Sequence, residues 1–110
     1  MADRIPLVVD SSSQQIKELP TGDSLILSDN EKLIFGDSSD LQIYHDGSNS
    51  FINDTGTGNL LIRAADQFLV QDTGGKTHIK SVINAQTEIY HNNSKKLATT
   101  STGIDVTGNI

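Results

Sequence analysis

The sequence contains no cysteine and no tryptophan, two prolines, and five aromatic residues in 110 positions. Without cysteine there is no disulfide framework and no cysteine-ligated zinc site, and the redox compartment stays open. Scarce aromatics argue against the core of a compact domain, where such rings dominate the buried area. Basic residues are also few, eight against fourteen acidic ones, for a net charge of −6. A phosphate-binding surface needs clustered Lys and Arg, so this balance argues against nucleic acid as a partner. The densest basic spots, Lys76 to Lys80 and Lys95 with Lys96, read as solvated strand faces or turns. Near the N-terminus the one apolar run, Ile5 to Val9, is interrupted by Pro6 and stopped by Asp10. That is too short for a signal-peptide core or a membrane span, so the expectation is a soluble chain made in a cytoplasm, with no membrane partner.

What the sequence has in abundance is turn chemistry. Asp, Asn, Gly, Ser and Thr make up 50 of the 110 residues, and only 35% of the chain is hydrophobic. The stretch Lys32 to Ile62 sets the pattern, with apolar runs at Leu33 to Phe35, Leu41 to His45, Phe51 to Ile52 and Leu60 to Ile62. Each is closed by a cluster of Gly, Asp, Asn and Ser. Runs this brief cannot sustain a helix, whereas turn clusters every eight to ten residues suit short β-strands. The class is all-β. Two architectures accommodate so thin an apolar content: a small sandwich or barrel, or a fibre in which several chains share one narrow core.

Residues 1–30 differ in texture. Arg4 to Asp10 reads as one extended segment, because Pro6 lacks a donor and is restricted to an edge or an isolated strand. Ile16 to Asp23 brings a second extended piece into a Pro-Thr-Gly turn, followed by Leu25 to Leu27. A capping-box pattern at Ser28 to Glu31 is followed by too short an apolar run for a helix, so a strand is expected there. Beyond Ile62, strands are expected at Gln67 to Gln71, Thr77 to Ser81, Val82 to Ala85, Glu88 to His91, Lys96 to Thr99 and Ile104 to Thr107, with Asn59 to Arg63 as a further strand. Asp46-Gly47 and Asn92-Asn93 are the pairs best suited to positive φ. The segment Ser81 to Glu88 would also tolerate a short helix. An internal repeat joins Ile43 to Leu60 with Ile89 to Val106: each has Ile-Tyr-His, then Asx and Ser, then Thr-x-Thr-Gly, offset by 46 residues that slip to 45. This period suggests stacked supersecondary units.

Motifs that could carry chemistry are weak. Gly75-Lys76-Thr77 mimics the end of a phosphate-binding loop, but Val70 stands where its first glycine belongs and no helix pattern follows. The acidic turns lack the alternating carboxylates of a calcium loop, which leaves the Asn53 to Asn59 turn as an adventitious calcium site at most. His45 and His91 occupy equivalent places in the two repeats. Either each caps a strand end beside a turn, or three chains around an axis bring three copies together as metal ligands. No nucleophile elbow surrounds any serine, and no facing carboxylate pair stands outside the turns. The chain is read as no enzyme, with no cofactor and no bound metal.

The phrase LIFGDSSDLQIYHDGSNSFINDTGTGNLLIR (Leu33 to Arg63) closely resembles a module of tail-fibre and related virion proteins of marine bacteriophages, cyanophages especially. EIYHNNSKKLATTSTGIDVTGNI (Glu88 to Ile110) resembles the phrase that follows it, and RIPLVVDSSSQQIKELPTGDSL (Arg4 to Leu25) is similar to the N-termini of such proteins. The resemblance implies an elongated, intertwined β-structure, a β-helix or β-prism-like shaft formed as a parallel homotrimer. Residues 1–30 would be an extended N-terminal arm and virion anchor, and 31–110 the shaft, with a second partial repeat from about residue 88. Arg4, Ile5, Pro6, Leu7, Val8, Val9, Ile16 and Leu19 would bind other virion proteins of the tail, portal region or capsid. The implied role is the N-terminal anchor and shaft of a tail fibre involved in host attachment, located in the virion. The alternatives are a head fibre or capsid decoration protein and, more distantly, a glycan-binding or glycan-degrading tailspike module. Relatives of this kind run on into further modules, so a fragment of a longer fibre and a short decoration are both expected forms.

Overall fold

The computed structural model describes residues 2–110 and holds ten strands and, among those residues, no helix. The all-β expectation is met, with 43% of the chain in strands. The chain divides into two compact units, Met1–Leu60 and Leu61–Ile110.

The first unit opens with a hairpin, β1 (Leu7–Asp10) and β2 (Gln15–Glu18), paired antiparallel from Leu7 with Glu18 to Asp10 with Gln15. The N-terminal segment thus folds back on itself where an extended arm was expected. Two short-range devices cause this. Asp10 Oδ1 accepts the backbone N–H groups of Ser12 and Ser13 at 3.0 and 3.3 Å, and Gln14 takes a positive φ of 58° to re-enter the ladder. Pro6 lies just before β1, where its missing donor costs nothing, and its carbonyl accepts the Leu19 N–H at 3.0 Å. Leu25 to Leu27 forms no strand. One capping-box bond forms, from the Ser28 N–H to Glu31 Oε2 at 2.7 Å, but the Glu31 N–H bonds the Ser28 backbone carbonyl at 3.0 Å, closing a turn that hands the chain directly to a strand.

That strand begins a three-stranded antiparallel meander, β3 (Lys32–Phe35), β4 (Leu41–His45) and β5 (Ser50–Asp54). Register sorts its residues by face: Leu33, Ile43 and Ile52 form one cross-strand row, and Lys32, Tyr44 and Phe51 form the row beside it on the opposite face. Tyr44 stacks on Phe51 with centroids 4.7 Å apart, while Lys32 Nζ sits 4.4 Å from the Tyr44 centroid. Each contact of this kind contributes ~0.5–1 kcal/mol. The β4–β5 turn has positive φ at Gly47 (96°), the first central residue, as a type II′ hairpin requires.

Asn59 to Arg63, expected as a strand, is not one. The chain leaving β5 is held across the end of the meander: Thr55 and Gly56 donate their N–H groups to Asp40 O at 2.7 and 3.2 Å, and Thr55 Oγ1 reaches Ser39 O at 2.9 Å. Diverted there, it never turns back to pair with β5.

The second unit is a five-stranded antiparallel sheet in the order β10-β9-β8-β7-β6, built from β6 (Gln67–Gln71), β7 (Thr77–Val82), β8 (Thr87–His91), β9 (Ser94–Thr99) and β10 (Ile104–Val106). Its turns are chemically specified. Asp72 Oδ1 accepts from Gly74 and Lys76 while Gly75 (φ 87°) re-enters β7. Asn92 and Asn93 both have positive φ, 46° and 65°, the type I′ signature of a two-residue hairpin loop. Of Val82 to Ala85, expected as a strand, only Val82 belongs to one, as the last residue of β7; Ile83 to Ala85 form the β7–β8 turn, where Asn84 adopts φ 55° and the Ala85 N–H bonds Val82 O at 3.1 Å. Asn tolerates the left-handed region far better than its apolar neighbours, so a single residue interrupts the run.

The two sequence repeats fold alike at first. In each, Ile-Tyr-His closes a strand and a tight turn leads into the next, through Asp46 to Asn49 in the first copy and Asn92-Asn93 in the second. They part after Thr-x-Thr-Gly, where the second copy adds β10 and the first does not.

Candidate functional site

The prominent features of the described residues are uncovered sheet faces. Among the described residues only Ala98 and Glu88 are buried, and exposed large apolar side chains run the length of the chain.

The eight residues expected to anchor the protein fall on and beside the N-terminal hairpin. Arg4, Ile5 and Pro6 precede β1; Leu7, Val8 and Val9 lie in β1, Ile16 in β2, and Leu19 just after it. Register brings Val9 opposite Ile16, with Leu7 on the same face, and leaves all three about 70% exposed or more. Val8 is set on the other face with Asp10 and Lys17, whose side chains meet at 2.7 Å. The hydrogen bonds from Lys17 and the two serines hold the Asp10 carboxyl well below its ordinary range, and Lys17 is raised in turn. Among the described residues, β1 and β2 touch no strand but each other. A lone two-stranded hairpin is marginal in water, and the apolar side of this one is exposed.

In the meander, Leu33, Ile43 and Ile52 line an open groove with Leu25 and Leu27, and His45 and Ser50 stand at its end. His45 Nδ1 lies 2.9 Å from Ser50 Oγ, the residue paired with it across β4 and β5. His91 holds the matching place in the second unit, opposite Ser94. Among the described residues no three His, Cys, Asp or Glu side chains gather as a metal site. The aspartates at the turns are occupied with backbone donors: Asp46 accepts from Ser48 and Asn49 at 2.9 and 2.7 Å, which keeps its carboxyl below the ordinary range. Gly75-Lys76-Thr77 is a hairpin turn into β7.

Sequence reasoning missed Glu88. On one face of the five-stranded sheet its carboxylate accepts from Tyr90 Oη at 2.5 Å, Gln86 Nε2 at 3.0 Å and Lys95 Nζ at 3.3 Å, with Lys80 Nζ at 3.7 Å. These partners cover it to 3% exposure. They hold its pKa down at about 2, chiefly through the Tyr90 hydroxyl and the Gln86 amide, while Tyr90 is raised. A carboxylate ionised so firmly has no proton to give near neutral pH; the cluster pins β7, β8 and β9 to one another. Alternation alone puts Gln86, Glu88 and Tyr90 on one face, but only the pairing of Lys80 with Glu88 and of Tyr90 with Lys95 shows the lysines converging.

The opposite face of the same sheet carries an unbroken aliphatic row, Val70, Ile79, Ile89, Leu97 and Val106, one residue from each strand. The neighbouring positions Phe68, Ser81, Thr87, Thr99 and Ile104 are uncharged as well. Apart from the half-buried Leu97, the row's residues are 38–46% exposed.

Comparison with protein-family models, with curated proteins and with solved structures finds no match.

Proposed function

We propose that this chain is a structural virion protein, the N-terminal anchor and shaft segment of a homotrimeric bacteriophage tail fibre that serves host attachment. The observation that carries this reading is the amount of surface a single chain leaves open. The chain exposes 9285 Å². A folded monomer of its 11.8 kDa exposes roughly 5,900 Å², and two independent bodies of half that mass together expose roughly 7,100 Å². The surplus of about 2,000 Å² per chain exceeds the roughly 800 Å² that one ordinary interface takes from each partner and is of the order that contact with two neighbours would bury. Large aliphatic side chains are exposed on the sheets of both units.

Copies of the same chain are the natural cover. They are present whenever the chain is made, and a chain with two buried residues among those described has little fold to keep without them. The resemblance of Leu33 to Arg63 and Glu88 to Ile110 to phage fibre modules supports a closed trimer, which also reduces the exposed edges that β3, β5, β6 and β10 present. The N-terminal hairpin, with Arg4, Ile5, Pro6, Leu7, Val8, Val9, Ile16 and Leu19, is the element that docks on other virion proteins. The role is non-enzymatic and needs no cofactor, nucleic acid or membrane.

Native mass spectrometry and light scattering at micromolar concentration test the oligomer: a trimer is expected, and a clean monomer overturns the shaft. Deleting residues 1–19 removes the whole hairpin; the remainder should assemble yet fail to enter particles, and normal incorporation would take the anchoring role from it. Electron microscopy of virions labelled at the N-terminus should place the label at the tail, whereas label on the capsid would make the chain a head fibre or decoration protein.

A further inference from the structure

We infer that the copies of this chain meet through one particular face of the second unit, the one bearing Val70, Ile79, Ile89, Leu97 and Val106, and that the Glu88 face of that sheet points outward. The inference rests on the homotrimer reading and says which surface the second and third copies occupy.

Two faces of one sheet compete for the role, and their chemistry separates them. The Glu88 face is already closed on itself: Glu88 is shut off from water by Tyr90, Gln86, Lys95 and Lys80 of its own chain. Seating another copy there would strip water from two lysines whose counter-charge is already engaged. The aliphatic face carries no charge across two adjacent rows, and its five side chains reach from one edge strand to the other. Chains of net charge −6 repel one another, so like copies associate best through a patch free of charge. Continuity across all five strands gives each copy an apolar surface broad enough to turn towards a common axis, where three such faces cover one another.

The experiment compares matched substitutions on the two faces of one sheet. Ile79 is 40% exposed on the aliphatic face and Leu69 is 42% exposed on the Glu88 face, where register sets it opposite Lys80. Ile79→Lys and Ile89→Lys should weaken association of the full chain by a hundredfold or more in sedimentation and native mass spectrometry. Leu69→Lys should leave it unchanged. If wild type is trimeric and Ile79→Lys stays trimeric, this face is wrong while the shaft reading stands; if Leu69→Lys dissociates equally, the assignment also fails. A monomeric wild type sinks the shaft itself, a separate failure. Should either lysine variant lose its circular dichroism, cysteine labelling decides, since the chain has no native cysteine. In the assembled protein Ile89→Cys should resist a bulky maleimide at least tenfold longer than Leu69→Cys, and equal rates overturn the inference.

Discussion

The turn between β8 and β9 offers a direct test of how this fold is specified. Asn92 and Asn93 both sit at positive φ, and both are exposed at the loop tip. Asn92 Oδ1 also accepts from Lys76 Nζ at 3.1 Å, so Asn93 is the position where a substitution changes backbone preference and little else. Valine there must hold φ near 65°, which costs an L-residue roughly 1–2 kcal/mol and a β-branched one the upper part of that range. Glycine at the same position relieves the strain and completes the Asn-Gly pair that two-residue hairpins favour. Both variants delete the same exposed amide, so their difference isolates the backbone term. Asn93→Val should lower the Tm of the full-length protein by about 4–16 °C, taking 4–8 °C per kcal/mol for a folding unit this small. Asn93→Gly should match or exceed wild type. In an assembled trimer the cost recurs in each copy, so all proteins must be melted at one concentration. Thermal scans by circular dichroism suffice. Equal melting of the valine and glycine variants would refute the type I′ assignment and, with it, the view that turn residues set the register of β8 against β9.

Acid should dismantle the Glu88 cluster in a defined window. Because the folded pKa is about 2, below the ordinary 4.5, the stabilisation is fully present above pH 4.5 and is lost as pH falls towards 2. In Glu88→Gln that part of the acid dependence should vanish, and unfolding curves from pH 7 to 2 that stay parallel to wild type would contradict the role given to the cluster. In the N-terminal hairpin, Asp10→Asn weakens the bond to Lys17 and the acceptor for Ser12 and Ser13. Amide exchange across Leu7 to Glu18 should then accelerate severalfold with none in β6–β9; unchanged exchange would mean the hairpin is held by its own ladder alone.

Much of the strand map is legible in the chain because period-two alternation and turn residues are local signals. Leu41 to His45, Gln67 to Gln71 and the positive-φ pair Asn92-Asn93 follow from residue types within five positions of one another, whereas of Asp46-Gly47 only Gly47 takes positive φ. Asn59 to Arg63 and Val82 to Ala85 show where such signals stop. Both have strand-like composition, but bonds from Thr55 and Gly56 to Asp40 and Ser39, far back in the chain, divert the first, and one left-handed Asn84 bends the second. The hairpin at Leu7 to Glu18 was hidden for a related reason: Pro6 signals where pairing cannot begin, not where a partner will return.

The sequence by itself determined that this protein is a succession of short antiparallel strands, since its apolar runs are too brief for helices and its turns are written in Asp, Asn and Gly. The tertiary structure alone decided which residues share a face. Register brings Val70, Ile79, Ile89, Leu97 and Val106 into one row, and gathers Lys80, Gln86, Glu88, Tyr90 and Lys95 on the other side. Alternation assigns faces within a strand, but only cross-strand pairing joins them into a surface. A slip of one residue in any strand would exchange its two faces.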